Sequence, residues 1–331
     1  MTSTSSVSWN ALLAALFLAA GIIVPFLTQS SYFLTIGITA MIFTVFAMSL
    51  NIVYGYAGLL SLAQVGFWGV GSYVAALVVT RLGGSIWEGM IAAALVAAAG
   101  AILIGAAALR LSNHAFVIVS LCFTLLMQML AQEWIDLTNG PMGIPGLPAP
   151  SIGFGEIDFS FGTPTRFFYL TLAFATVSLG AIWIVVTSRI GKTLRMIKHD
   201  ETLARSLGVR VTVWKLVAIA LASVFAALSG ALYVFYVTIV DPLIFDVYFT
   251  QVILVIVIIG GLGSFWPVVF SGLLITVLPE ILRTPNELRM ISYGVILMAA
   301  VLLMPTGIAG LAGKARTRRT TPAAASVEVS P

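Results

Sequence analysis

An all-α polytopic membrane protein is the fold class this sequence predicts, with about ten transmembrane helices, both termini cytoplasmic and a short cytoplasmic helix between two spans. Three observations predict it. Of 331 residues, 60% are hydrophobic and 8% charged, where a soluble domain carries roughly 25% charged residues. No formally charged side chain precedes Arg81. Apolar stretches of about 20 residues, enough to cross the hydrocarbon layer, recur along the chain, without the alternating segments of about 10 residues that barrel strands show. The basic residues gather beside apolar segments in two places, the positive-inside signature. A soluble chain with a very large core is excluded, because it would expose more polar surface than this composition supplies.

The segments follow in order. Residues 9–27 carry no Lys or Arg before them and no small-residue cleavage site leading into a soluble domain, so they are expected to stay as a first helix. Spans are predicted at 33–53, 59–80, 88–109 and 113–133. The next stretch, 134–166, is rich in Gly and Pro and holds Asp136, Glu156 and Asp158 against Arg166, the composition of a periplasmic loop. A span at 167–187 leads into a basic loop, 188–212, with Arg189, Lys192, Arg195, Lys198, Arg205 and Arg210. Spans at 213–237, 247–262, 266–283 and 289–306 follow, and then Lys314, Arg316, Arg318 and Arg319. Both basic regions belong in the cytoplasm, and the four intervening crossings are consistent with that. Residues 1–312 thus read as one transmembrane domain and 313–331 as a disordered polar tail.

The charge map excludes several functions. A net charge of +4 and a pI of about 9.3 would point to nucleic acid in a soluble protein; beside membrane segments they point to lipid headgroups, and no nucleic-acid partner is expected. Almost no ionisable group lies at mid-depth, since Glu88, Lys215 and Arg289 stand at helix starts, where long side chains reach the interface. No convincing intramembrane acid or His offers itself as a proton relay, which weakens a secondary-transporter reading without removing it, and sodium coupling through backbone carbonyls stays open. Gly191-Lys192-Thr193 imitates the end of a phosphate-binding loop, but Val186 occupies the position of its first glycine. ATP binding, catalytic residues, a metal and a cofactor are not expected in this chain. Cys122, the single cysteine, lies in an apolar run and reads as a packing residue.

The loop SRIGKTLRMIKHDETLARSLGVRVTVWK, residues 188–215, is the most informative segment. Asp200 can cap a short helix and Gly208 suits the left-handed position that ends it. Glu201 and Arg205 stand four apart in the acid-first order. Leu203 and Leu207 flank Ala204, and Leu194 pairs with Ile197. Such a helix can insert into a partner's groove or lie as a charged connector on the headgroups, and the residues alone leave both open. The segment resembles the cytoplasmic loop of LivM-type permeases of branched-chain amino acid ABC importers, through Arg189, Gly191, Leu194, Arg195, Glu201, Ala204, Leu207, Gly208 and Lys215. It departs from that pattern at Thr202 and Leu203, where small residues are common. The resemblance implies a coupling helix that docks on an ATPase, organised by Leu194, Arg195, Glu201, Ala204, Leu207 and Gly208.

Two glycine-rich segments interrupt the apolar sequence. SLNIVYGYAGLLSLAQVGFWGVGSYVAAL, residues 49–77, combines Gly55, Gly58, Gly66, Gly69 and Gly71 with Asn51, Ser61 and Gln64. GGLGSFWPVVFSG, residues 260–272, holds Gly260, Gly261, Gly263, Ser264 and Pro267. Glycines permit close helix approach or unwinding, and a broken helix must face protein or a watery cavity. Packing alone accounts for any one glycine; their combination with polar groups favours a solute pathway. The expected path residues are Asn51, Gly55, Gly58, Ser61, Gln64, Gly66, Gly71, Gly260, Gly261 and Gly263. Both segments are similar to LivM-type permeases, which share LN-x-x-x-GYAG-x-x-SL and GGLGS, as is MPTGIAGL at 304–311; Phe265-Trp266-Pro267-Val268 replaces that family's usual Gly-Pro after GGLGS.

Across residues 40–312 the resemblance implies a multi-pass subunit of a bacterial inner membrane. It implies as partners a second homologous permease, two ATP-hydrolysing subunits and a periplasmic substrate-binding protein. Branched-chain amino acids are the family's default solute, with urea, amides, other amino acids and aromatic acids carried by related importers. The rival readings are an ion-coupled secondary transporter and a passive channel.

Overall fold

The computed structural model describes residues 4–27, 30–154, 157–281 and 298. The expected span at 289–306, the motif at 304–311 and the tail at 313–331 lie outside the described residues, apart from the single position 298. The elements run α1 (Thr4–Leu27), α2 (Ser31–Leu50) continuing into a π-helical turn (Asn51–Tyr56), α3 (Gln64–Arg81), α4 (Ile86–Ala108), α5 (Asn113–Glu133) and the one-turn α6 (Ile135–Thr138). After a 3₁₀ turn (Gly140–Met142) come β1 (Ile144–Pro145), β2 (Ser151–Phe154) and β3 (Ile157–Ser160). Then follow α7 (Pro164–Thr187), α8 (Arg189–His199), α9 (Glu201–Ser206), α10 (Val211–Val237), β4 (Ile239–Val240), a second 3₁₀ turn (Pro242–Phe245), α11 (Val247–Gly260) and α12 (Trp266–Ile281).

Five of these helices are long and apolar enough to cross a membrane: α2 with its π turn, α4, α5, α7 and α10. Their outward faces are as apolar as their inward ones. Leu95, Leu103, Ile118, Leu126, Val177 and Ile184 are all exposed, which water would penalise and hydrocarbon does not. The protein is a helical membrane protein. Cys122 belongs to this outward surface: it is exposed on α5 rather than packed, because the apolar run around it turns that side to lipid.

The core sits where α2, α3, α4 and α10 meet. α10 lies along both α3 and α4, and α2 is flanked by α7, α10 and α12. From Ala40 to Val53 every residue of α2 and its π turn is buried. An aromatic cluster fills the centre, with Trp68 stacked on Phe46 at 4.2 Å between ring centroids and Phe43, Tyr233 and Phe249 around them.

Helix boundaries follow local chemistry. Ser85 and Glu88 form a reciprocal capping box at the start of α4. Ser112 caps α5, accepting from Ala115 N. The predicted 59–80 span begins later than its apolar content indicates, at Gln64, because residues 57–63 leave the helix. The described helices otherwise follow the predicted spans closely.

The helices carry two opposite groups of loops. At one end β1 pairs antiparallel with β4, Ile144 opposite Val240, Arg81 donates to Asp136 O and Trp87 Nε1 donates to Ser151 O. At the other end lie α8, α9, the turn between α4 and α5, and the break at 57–63. Acidic and Gly/Pro-rich sequence occupies the first end, and the basic loop the second.

Candidate functional site

The site begins at a defect in α2. From Asn51 the helix widens to π geometry, and Ala57 N and Leu59 N donate back to Ile52 O and Val53 O at 3.2 and 3.0 Å. Such a widened turn is rare and concentrates at functional positions. Residues 57–63 then need outside partners for their peptide groups. α5 supplies them: Leu62 N donates to Ser120 Oγ at 3.0 Å, and Thr124 Oγ1 donates to Leu62 O at 3.0 Å. Sequence reasoning missed Ser120 and Thr124, although two hydroxyls four residues apart in an apolar span were a usable signal.

The second break lies between α11 and α12. Gly261 and Gly263 have φ of +98° and +82°, a region that side chains disfavour. Asn51 joins this break to the first: its Oδ1 accepts from Gly263 N at 3.0 Å and its Nδ2 donates to Ser264 O at 2.8 Å. Gly55 completes the clasp, since a Cβ there would run into Asn51 Oδ1 and lie 2.5 Å from Gly263 N. Asn51, Gly55, Gly261 and Gly263 are therefore brought together.

Of the other expected path residues, Gly58 and Ser61 lie in the break at 57–63, Gln64, Gly66 and Gly71 on α3, and Gly260 at the end of α11. A Cβ at Gly66 would press on Phe123 of α5, at Gly71 on the backbone of Ala227 in α10, and at Gly260 on Val268 of α12. Each marks a close helix approach. Gly58 (φ +76°) sits against the Lys198 stem. Asn51, Ser61 and Gln64 are buried, so in this arrangement all three face protein. Ser61 Oγ accepts from Ala63 N at 3.4 Å, and Ser49 Oγ donates to Gln64 Oε1 at 3.4 Å. Gln64 Nε2 and, one turn on, Trp68 Nε1 are buried without a hydrogen-bond partner among the described residues. A separate recess of about 600 Å³, between α1, α7 and Trp266, is apolar and touches none of these residues.

At the end of the second break stand α8 and α9. Ser188 caps α8 through Ile190 N at 3.1 Å, and Leu194 and Ile197 bury its inner face. Asp200 caps α9, its Oδ1 accepting from Thr202 N at 2.8 Å and Leu203 N at 3.0 Å. Gly208 (φ +81°) ends it, with Gly208 N donating to Arg205 O. Ala204 is buried with Ile197 and Val211, while Leu203 and Leu207 are 55% and 66% exposed. The two leucines thus form an apolar pair on a fixed base.

Charged groups tie the pair to the helices. Glu201 bonds Lys215 and also lies 3.7 Å from Arg205. The sequence places Lys215 at a helix start reaching for the interface; instead its side chain turns inward and is nearly buried against Glu201. Arg195 donates to Val186 O at 2.9 Å and lies 5.1 Å over the Tyr56 ring. Lys198 Nζ donates to Gly55 O at 2.7 Å, and partial burial holds its pKa below the usual lysine value. Among the described residues, no group of three His, Cys, Asp or Glu side chains is placed to hold a metal.

A family model described as the branched-chain amino acid transport system / permease component matches residues 32–303. The chain is 30% identical over 287 residues to the high-affinity branched-chain amino acid transport system permease protein LivM of Salmonella typhimurium, covering 81% of this chain and 68% of that one. LivM of Escherichia coli K12 is likewise 30% identical over 289 residues. The high-affinity branched-chain amino acid transport system permease protein LivH of Salmonella typhimurium is 24% identical over 311 residues, 96% of its length. No solved structure matches the chain.

Proposed function

The chain belongs to the permease-component family of branched-chain amino acid transport systems, and from that premise we propose how it works. It is the membrane-spanning permease subunit of an ATP-binding-cassette importer of a bacterial inner membrane. It translocates branched-chain or related amino acids delivered by a periplasmic binding protein. A second homologous permease completes the pathway, and two separate ATPase chains dock on the α8–α9 end, in the cytoplasm. The exposed Leu203–Leu207 pair carries the docking reading. Asp200 and Gly208 define its helix and Ala204 anchors it, leaving two large apolar side chains for a partner's groove. Leu194 and Arg195 hold α8, and Glu201 holds α9, to the bundle.

Solute passes by opening of the paired breaks. Asn51, Ser61 and Gln64 supply polar groups, and Gly55, Gly58, Gly66, Gly71, Gly260, Gly261 and Gly263 let the surrounding helices part. The enclosure of Asn51, Ser61 and Gln64 corresponds to a closed path in alternating access. The permease performs no covalent chemistry.

The test is a reconstituted assembly carrying Gly208→Pro or Leu207→Asp. Proline fixes φ near −65° where +81° is needed, and the aspartate sets a charge in the apolar face. Both variants should lose substrate-stimulated ATP hydrolysis while the permease folds and elutes normally. Normal hydrolysis in both overturns the docking assignment, and gradient-driven uptake by this chain alone overturns the importer reading.

A further inference from the structure

The geometry points to Lys198 as a positioning residue that couples α8 to both helix breaks, so that movement imposed on the docking helices is delivered to the solute path through this one side chain. The inference rests on the importer reading above and deepens it.

Lys198 stands where three segments converge. Its ammonium donates to Gly55 O inside the π turn. Its stem lies under Gly58, where a Cβ would come within 3.1 Å of Lys198 Cγ. On the other side, a Cβ at Gly263 would lie 3.6 Å from Nζ. One turn earlier on α8, Arg195 covers the Tyr56 ring at 5.1 Å. Lys198 thus reaches the π turn directly, and Asn51 carries the contact across to Gly263 and Ser264.

Each link suits transmission. α8 and α9 share the buried cluster of Ile197, Ala204 and Val211, so a load on the exposed leucines moves α8 with α9. A π turn departs from the regular α-helical pairing and concentrates at functional positions, and a charge-assisted bond at Gly55 O steadies it in that form. Drawing Lys198 away frees Gly55 O and loosens the clasp that keeps the breaks together. The ammonium is therefore a tether between a docking element and the π turn, placed to carry a small shift at one site to the other.

The experiment uses the complete assembly of permease pair, ATPases and binding protein in proteoliposomes, recording solute taken up per ATP hydrolysed. In the wild type, uptake must depend on ATP; if it does not, the importer reading falls and this inference with it. Given that dependence, Lys198→Met should keep hydrolysis within about twofold of wild type and lower uptake per ATP about fivefold or more. Lys198→Arg, which restores a cationic donor, should recover at least half. An unchanged ratio in Lys198→Met, or a proportional fall in hydrolysis and uptake, overturns the coupling role and leaves the importer reading standing. Should Lys198→Met not assemble, Lys198→Leu, which keeps an apolar stem and removes the donor to Gly55 O, is read by the same ratio. Failure of both variants to assemble assigns the contact to folding and overturns the inference.

Discussion

Asn51 uses both ends of its carboxamide on one loop, and that makes it the side chain whose loss is most specific. Replacing it by alanine strands Gly263 N and Ser264 O, which it now satisfies at 3.0 and 2.8 Å. Two orphaned backbone groups in a half-buried position cost about 1–3 kcal/mol together. Asn51→Ala should lower the unfolding free energy in detergent by that amount. Asn51→Asp should do no better at neutral pH, because it keeps an acceptor for Gly263 N but turns a carboxylate oxygen on the Ser264 carbonyl. Equal stability of all three proteins would show that the clasp contributes nothing. That Asn51 needs partners was legible from its polarity within an apolar span. Which partners it takes was not, since they lie more than 200 residues away in sequence. Lys198 and Lys215 escaped for a related reason: a basic residue in a charged loop or at a helix start reads as solvated or interfacial, whatever carbonyl or carboxylate the fold brings beside it.

At the scale of the element, glycine separates two kinds of helix contact. Gly230 of α10 faces α3 so closely that a Cβ would meet the Trp68 carbonyl oxygen and lie 2.8 Å from Ser72 Oγ. Gly230→Val has to push the two helices apart where α3 and α10 share their most extensive contact, and overpacking of that kind is destabilising by about 1–3 kcal/mol or more. Gly180 of α7 has nothing within 4 Å of its Cβ position, so Gly180→Ala should hold or raise stability, by up to about 1 kcal/mol. Folded yield on size-exclusion chromatography checks both; a normal yield for Gly230→Val would overturn the close-approach account. The helices themselves were legible, because length and apolarity suffice to find a membrane helix. Their interruptions were less so. Hydropathy runs unbroken through residues 57–63; Gly58 (φ +76°) marks the turn out of the helix there, and Ser120 and Thr124 of α5 satisfy Leu62. In the basic loop, the cap at Asp200 and the stop at Gly208 were readable one residue at a time, since capping is local chemistry. The separate helix α8 before them became visible only through the burial of Leu194 and Ile197.

Over the whole molecule, the helices have to be reconciled with a bilayer. α11 has 14 residues, about 21 Å at 1.5 Å per residue, short of a hydrocarbon layer of about 30 Å. The break that follows it is held to the π turn by Asn51, so its peptide groups meet protein partners where lipid would offer none. Charge then sets the direction. Arg189, Lys192, Arg195, Lys198, Arg205 and Arg210 stand at the α8–α9 end, and on the positive-inside rule we propose that end as the cytoplasmic one. Met142, 79% exposed, lies at the opposite end, beside β1. With Cys122→Ser as background, a membrane-impermeant maleimide should label Met142→Cys in right-side-out vesicles and Lys192→Cys in inside-out vesicles. Labelling of both from one side would overturn the two-ended arrangement of the loops. The reversed pattern would keep that arrangement and invert the protein, placing the exposed leucines of α9 out of reach of any cytoplasmic ATPase.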